Sequence, residues 1–354
     1  MPSNCVFLFD RSNLVYHSGE TVSGSIILTT TSNKSVNAIY ILFEGAANVH
    51  WRKRHTRTVN GRRMIRIKHF YGREVYVCKR INVFGKGELP AGTHTYAFRV
   101  PLPEKCPTSC EGSYGRIAYE VLLVVDRSWR FNNEYKKTVT VLQTYNLNMY
   151  PELRVPLKSE DIKYFCCWPC SSGPVISTLT MPFGGYAPGQ RIHYVLHIDN
   201  QSRGYDLTGI EVSLVQLKVF TATTPHHESR SSTSTYCTTY QAELVRRLSK
   251  RIINGSLVIP SVPPSSRNQR AIRLFYHIRM VIKTGICHTD SVIEIPIVIG
   301  TIPLAQRAET PKNVATPSGA AAALPSNYDT GRSPQPRVSP GIALEVSTAP
   351  GANK

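Results

Sequence analysis

The sequence predicts an all-β fold made of two tandem antiparallel β-sandwiches followed by a disordered tail. One strand-and-turn pattern, Y-x-x-G-[EQ]-x-[VI], occurs at residues 16–22 and again at residues 186–192. Apolar residues alternate with period two in many short runs, such as residues 119–125, which is typical of strands with one buried face. Gly, Pro, Asn and Ser separate these runs, and helical periodicity is nearly absent. This spacing suits antiparallel sandwiches.

The second half of the chain repeats the first half in the same order. Beyond the opening pattern, three pairs of segments correspond: 36–41 with 207–212, 98–101 with 257–260, and 119–121 with 276–278. Four matches in one order indicate a duplicated domain. We therefore expect an N-terminal sandwich at residues 1–150 and a C-terminal sandwich at residues 175–304.

The segments between and after the two sandwiches lack sustained alternation. Residues 151–174 contain several prolines and are expected to form the interdomain linker. After Leu304 the composition shifts to Ala, Pro, Ser, Gly and Thr, so residues 305–354 cannot bury enough apolar surface to offset the entropy of ordering them. We expect a disordered tail there. Across residues 212–219 the alternation slips by one residue, which predicts a β-bulge.

The composition points to a cytosolic protein with acidic partners. The chain has 354 residues, a formal net charge of +19 and nine cysteines. No apolar segment follows a basic stretch at the N-terminus, and the longest apolar run, residues 117–125, is too short to cross a bilayer. We therefore expect a cytoplasmic location, and reduced thiols instead of a disulfide framework. The positive charge favours anionic lipid, phosphorylated peptide or nucleic acid as partner.

The strongest charge cluster lies between residues 51 and 80, with eleven basic residues against one acid, Glu74. The Asn60–Gly61 pair at its centre predicts a hairpin turn. The predicted binding site for an acidic partner consists of Arg52, Lys53, Arg54, Arg57, Arg62, Arg63, Arg66 and Lys68. Anionic headgroups or acidic receptor tails would bind there, although a solvated hairpin whose charge prevents aggregation has the same pattern.

Nucleic acid is the alternative partner for this basic segment. Aromatic residues such as Trp51, Phe70 and Tyr71 are interleaved with the basic ones, as a base-stacking surface requires. Strands are rich in aromatic residues anyway, and no RNP, KH, zinc-finger or helix-turn-helix signature occurs. We therefore expect no nucleic acid, and keep a basic nucleic-acid-binding β-protein as the alternative function.

The sequence shows no catalytic, cofactor or metal signature. Motifs of the hydrolase, zinc-protease, P-loop and dinucleotide-binding types are all absent, so we expect no enzyme and no cofactor. Cys106 and Cys110 together with the group Cys166, Cys167 and Cys170 could supply zinc ligands, but their spacing matches no zinc ribbon or finger, and small, partly buried thiols explain them better. Cys166 and Cys167 are also candidates for acylation, beside Phe165 and Trp168.

Several segments resemble the α-arrestin family, in family order and over most of residues 5–304. The resembling segments are residues 15–24 (VYHSGETVSG), 112–121 (GSYGRIAYEV), 166–174 (CCWPCSSGP), 185–189 (GYAPG) and 297–303 (IVIGTIP). The resemblance implies two arrestin-type, immunoglobulin-like β-sandwich lobes. It also implies a non-enzymatic adaptor, peripheral at the plasma membrane or endosomes, that binds cytoplasmic tails of membrane proteins and acidic lipid headgroups in endocytosis, protein transport or ubiquitin-dependent sorting.

The resemblance also directs attention to proline-tyrosine motifs, P-P-x-Y, with which this family binds WW domains of HECT-type ubiquitin ligases. Adjacent prolines pre-set the extended left-handed helix that such domains bind. The tail keeps only Pro325 and Tyr328 of this pattern, and Pro263–Pro264 is followed by two serines. The incomplete motif argues against a ubiquitin-ligase partner. Pro325 and Tyr328 remain as a weak candidate for a WW-domain-binding motif.

Overall fold

The alternating apolar segments form antiparallel strands in two sandwich lobes, which confirms the predicted fold class. The computed structural model describes residues 3–59, 62–127, 131–164, 166–167, 170–171, 173–284 and 290–305. The predicted tail beyond residue 305 therefore lies outside the described residues.

The N lobe consists of two sheets and a short pair of strands. Its strands are β1 (Ser3–Phe9), β2 (Val15–His17), β3 (Thr21–Thr30), β4 (Lys34–Val36), β5 (Ala38–Val59), β6 (Arg62–Phe84), β7 (Gly87–Leu89), β8 (Gly92–Pro101), β9 (Cys110–Gly112), β10 (Gly115–Asp126) and β11 (Asn133–Leu142). One sheet has the order β1-β3-β8, and the other has the order β2-β11-β10-β5-β6 with β9 paired to β10. Strands β4 and β7 pair separately.

The C lobe begins after two 3-10 turns, Leu147–Met149 and Pro151–Arg154. Its strands are β12 (Leu157–Lys163), β13 (Cys166–Cys167), β14 (Cys170–Ser171), β15 (Val175–Met181), β16 (Gly185–Tyr186), β17 (Arg191–Asn200), β18 (Gly209–Ala222), β19 (Glu228–Gln241), β20 (Ser249–Val258), β21 (Ile272–Lys283) and β22 (Ser291–Ile299). The sheets have the orders β12-β15-β17-β20 and β16-β22-β21-β18-β19. In the part of the chain that is described, no helix has the length and apolarity needed to traverse a bilayer.

Strand order makes the duplication explicit. The order β2-β11-β10-β5-β6 in the N lobe corresponds strand by strand to β16-β22-β21-β18-β19 in the C lobe. The three strands β1-β3-β8 likewise correspond to β15-β17-β20, with β12 added beside β15. Strand β12 lies within the segment predicted as linker, and it pairs with β15 over seven positions.

The repeated turn motif has the same geometry in both lobes. Gly19 and Gly189 have φ angles of +87° and +86°, a left-handed region in which a side chain is strained. The next residue, Glu20 or Gln190, accepts a hydrogen bond from the backbone N–H three residues earlier, at 2.8 and 2.7 Å. These two requirements explain the Gly-[EQ] pair in the sequence pattern.

A buried tyrosine stabilises the same loop in each lobe. The Tyr119 hydroxyl donates to the carbonyl oxygen of Pro107 at 2.7 Å, and the Tyr276 hydroxyl donates to that of Pro263 at 2.6 Å. Both rings are inaccessible to solvent. The first proline of the Pro263–Pro264 pair is therefore an internal hydrogen-bond acceptor in the C lobe.

Two local predictions are confirmed by strand pairing. Strands β5 and β6 form one long hairpin in which Val59 pairs with Arg62 across Asn60–Gly61, a pair that itself lies outside the described residues. Between Leu214 and Val215 of β18 the register against β19 shifts by one residue, beside the run where the alternation slipped, and the extra residue is Tyr236 of β19.

Tyr119→Phe and Tyr276→Phe should each lower the free energy of unfolding by about 1–2 kcal/mol, because each change leaves a proline carbonyl without its donor. Urea denaturation measures the change. Tyr164→Phe is the control, since that side chain is 68% exposed. Equal stabilities for all three variants would contradict the role given to these hydroxyls.

Candidate functional site

The basic segment forms the outer end of the β5–β6 hairpin. Directly paired residues of antiparallel strands point to the same face. The register therefore separates the predicted site residues between two faces of the hairpin. One face carries Lys53, Lys68, Arg57 and Arg66, and the other carries Arg52, Arg54 and Arg63; the side chain of Arg62 lies outside the described part.

The base of the hairpin is buried against the C lobe. The rings of Trp51 and Phe70 stack with centroids 5.5 Å apart and belong to the same apolar cluster as Phe220 of β18. The guanidinium of Arg230 lies 5.4 Å from the ring centroids of both Trp51 and Tyr114. Burying large aromatic side chains contributes about 1.5–3 kcal/mol each. The hairpin is therefore a structural link between the lobes at its base.

Backbone hydrogen bonds continue this contact along β6. The N–H of Tyr71 donates to the carbonyl of Thr224 at 2.9 Å, and the N–H groups of Thr223 and Thr224 donate back to the carbonyl of Tyr71. Gly72 allows the approach, because a Cβ atom there would lie 2.4 Å from the carbonyl oxygen of Thr221. A bulkier residue would force the two lobes apart.

An ion pair and a hydrogen bond hold the two lysines of the hairpin base. Lys53 donates to both carboxylate oxygens of Glu228, at 3.0 and 3.1 Å, and the Lys68 ammonium lies 3.3 Å from Nδ1 of His226. The hydrogen bond from Lys53 holds the pKa of Glu228 below its ordinary value, despite some desolvation. Lys53 and Lys68 of the predicted site thus contact the C lobe.

The one acid of the basic segment is also used at the lobe contact. Oε2 of Glu74 accepts hydrogen bonds from the N–H groups of Arg270 and Ala271, at 2.8 and 2.9 Å, and from the Tyr76 hydroxyl. By contrast, the exposed arginines toward the free end have no carboxylate partner among the described residues. These arginines are Arg52, Arg54, Arg57, Arg63 and Arg66.

A groove in the N lobe is a second candidate site, which sequence reasoning missed. It has a volume of about 540 Å³ and lies between Cys5–Phe7 of β1 and residues 134–137 of β11. In the described part of the chain β1 pairs only with β3, and β11 pairs with β2 only over Thr140–Leu142. Two open strand edges, with Lys136 and Lys137 beside them, therefore border the groove. No local sequence signal marks it, because an unpaired edge depends on strand order.

Comparison with known proteins decides the family. Residues 5–148 match the family described as Arrestin (or S-antigen), N-terminal domain, and residues 171–304 match Arrestin (or S-antigen), C-terminal domain. The chain belongs to the arrestin family. The resemblance inferred from the sequence motifs is thereby confirmed.

The relatives of this arrestin are arrestin domain-containing proteins of the α-arrestin type. Arrestin domain-containing protein 17 of Caenorhabditis elegans is 25% identical over 315 residues, which cover 84% of this chain and 70% of that protein. Arrestin domain-containing protein 1 of Mus musculus is 25% identical over 303 residues, which cover 85% of this chain and 65% of that protein. Arrestin domain-containing protein 4 of Homo sapiens is 26% identical over 314 residues, which cover 83% of this chain and 70% of that protein. The chain thus spans about two thirds of the length of these relatives.

The other predicted site residues of this arrestin are described only in part. Cys106 is buried and Cys110 is half-buried, and burial raises the pKa of the Cys106 thiol to about 11. The side chains of Cys166, Cys167 and Cys170 lie outside the described part, although the backbones form β13 and β14. Pro325 and Tyr328 also lie outside the described residues.

Gly72→Ala should lower the free energy of unfolding by about 1–3 kcal/mol, because the new methyl group overlaps the backbone of Thr221. Faster hydrogen exchange at the amides of Tyr71 and Thr224 would locate the damage at the lobe contact. Gly85→Ala is the matched control, since nothing lies within 4 Å of its added Cβ. The contact is not required if both variants behave alike.

The Lys53–Glu228 pair predicts a pH dependence with a definite sign. The pKa of Glu228 is lower in the folded protein than its ordinary value of 4.5, so its contribution to stability is present above that value and is lost as the pH falls through the folded pKa. Glu228→Gln should therefore flatten the stability profile on the acid side of pH 4.5. Urea titrations at several pH values, with Glu88→Gln as control, measure it; identical acid slopes would contradict the assignment.

Proposed function

We propose that this arrestin is a non-enzymatic cytoplasmic adaptor. It binds cytoplasmic tails of membrane proteins and acidic surfaces, and so directs endocytosis, protein transport or ubiquitin-dependent sorting. The observation that carries the proposal is the groove between the open edges of β1 and β11. A segment of extended chain can add to such an edge through backbone hydrogen bonds, which is a common mode of peptide recognition.

The C lobe contains an internal example of this strand addition. Strand β12 pairs antiparallel with β15, from Leu157 opposite Met181 to Lys163 opposite Val175, and it also lies beside β22. Strands β15 and β22 are the repeat equivalents of β1 and β11. In the N lobe the corresponding space is the groove. A segment of about seven residues from the cytoplasmic tail of a membrane protein, running antiparallel to β1, therefore fits the same geometry.

Charge favours an acidic or phosphorylated segment in the groove. Lys136 and Lys137 border it together with Glu134, and Lys136 also lies 3.8 Å from Glu120 in an ion pair. Charge-assisted hydrogen bonds to carboxylate or phosphate are about twice as strong as neutral ones. The unpaired arginines of the β5–β6 hairpin provide a further site for an acidic surface, and they support peripheral association with membranes.

Catalysis is not part of the proposal. Burial raises the pKa of four described thiols, those of Cys5, Cys106, Cys110 and Cys237, so they stay protonated and are poor nucleophiles. Recruitment of a ubiquitin ligase would depend on Pro325 and Tyr328, and acylation would depend on Cys166 and Cys167. Both remain proposals.

Lys136→Glu combined with Lys137→Glu should weaken binding of acidic or phosphorylated tail peptides by roughly tenfold or more at low salt, because it reverses the charge beside the open edge. Fluorescence anisotropy with labelled peptides from cytoplasmic tails of membrane proteins measures the affinity. Lys158→Glu, an exposed lysine of β12, is the matched control.

Wild-type affinity in the double variant would remove the groove from the proposed function. Strand addition further predicts protection of β1 and β11 amides from hydrogen exchange when the peptide is bound. Binding without such protection would assign the peptide to another surface.

A further inference from the structure

The outer strand of the second C-lobe sheet presents almost no charge along its free edge. Strand β19 lies at the end of that sheet and, within the described ranges, pairs only with β18. Its two charged residues are Glu228 and Arg230, and the N lobe engages both of them. Glu228 binds Lys53, and the guanidinium of Arg230 lies over the ring of Trp51. Residues 231–241 are Ser, Thr, Tyr, Cys and Gln alone, so the edge is an uncharged row of backbone donors and acceptors.

The equivalent strand of the N lobe is protected in two ways. Strand β6 has the same place in the strand order, and its outer edge hydrogen bonds to the C lobe where Tyr71 meets Thr224. Cations such as Arg73 and Lys79 recur along β6. Charged side chains on an edge strand hinder pairing with another chain. The duplicated lobes therefore differ, because β19 has neither protection along residues 231–241.

The regular part of the free edge is residues 229–235. Beyond it, the extra residue Tyr236 interrupts the even pairing with β18. The regular segment extends roughly 23 Å. Its alternate side chains share one face and are exposed; they are Ser229, Ser231, Thr233 and Thr235.

We propose that two copies of this protein associate by antiparallel pairing of their β19 strands, about a two-fold axis at Ser232. This register uses all of residues 229–235 in both copies. It places Ser231 opposite Thr233 of the second copy, and Ser229 opposite Thr235. Cross-strand pairs of Ser and Thr are favourable, and no like charges meet in this register.

A second copy fits this edge better than a foreign segment does. A two-fold contact pairs both open edges at once, whereas an added peptide keeps an unpaired edge of its own. The acidic segments proposed for the β1–β11 groove find no cation on residues 231–241. The association goes beyond the proposed function and does not use the groove.

Sedimentation velocity of the full chain over a wide concentration range tests the association. The weight-average mass should rise from 39.5 kDa toward twice that value. Ser231→Lys with Thr233→Lys places like charges opposite one another, and should weaken the dimer by roughly tenfold or more. The matched control is Thr93→Lys with Thr95→Lys, which changes two exposed threonines of the edge strand β8.

A charge swap separates pairing at β19 from damage to the fold. Ser231→Glu with Thr233→Glu should also associate weakly with itself, for the same reason. An equal mixture of the lysine and glutamate variants should associate at least as tightly as the wild type, because opposite charges then face each other. Misfolded variants would not recover in this way.

Hydrogen exchange reports the location of the contact. Amides of residues 229–235 should exchange more slowly at concentrations where the dimer is populated, whereas amides of β8 should be unaffected. Salt should tighten the dimer, because two copies of net charge +19 repel each other while the paired strands are uncharged. Acidic partners should show the opposite salt dependence.

Each contrary result overturns the inference. These results are a chain that stays monomeric, a dimer that the paired lysines leave intact, a dimer without protection at β19, and a dimer that salt weakens. Tail-peptide affinity at the β1–β11 groove is measured in parallel on the same variants. Its loss in the wild type would count against the proposed function and not against pairing of β19.

Discussion

The burial of one end of the β5–β6 hairpin in the opposite lobe is the constraint on which the arrangement of the molecule depends. Trp51 and Phe70 share an apolar cluster with Phe220, and Gly72 lets the two backbones hydrogen bond. Because the hairpin also belongs to the N-lobe sheet, it cannot tilt without disturbing both lobes. Its free end is therefore presented in a fixed direction by a rigid base.

This packing also determines the charge of the free end. Glu74, the one acid among residues 51–80, is bound to backbone amides of the C lobe, and Glu228 compensates Lys53 at the base. Among the described residues no carboxylate is left to pair with the arginines beyond it. The positive charge of the segment thus concentrates where no described carboxylate neutralises it, which is what a site for an external anion requires.

The features that a few neighbouring residues encode could be predicted from the sequence. The repeated Gly-[EQ] turn, the Asn60–Gly61 hairpin and the slip near Leu214 each depend on a few neighbouring residues, and all are visible in the alternation. The division of the arginines between two faces follows only from register, and the lobe contact of Glu74 depends on residues almost two hundred positions away. The groove beside β1 could not be predicted, since it exists because the described part of the N lobe has no strand equivalent to β12.

That missing strand has a consequence for stoichiometry. In the C lobe the edge of β15 is filled by the chain's own β12, whereas no strand of the described ranges pairs with the outer edge of β1. Among the described residues, the two similar lobes therefore differ at this position, and one molecule offers one open edge of the β1 kind. If the proposed adaptor function holds, simultaneous binding of two partner segments at this edge requires several copies of the protein, so that avidity depends on local density and not on affinity alone.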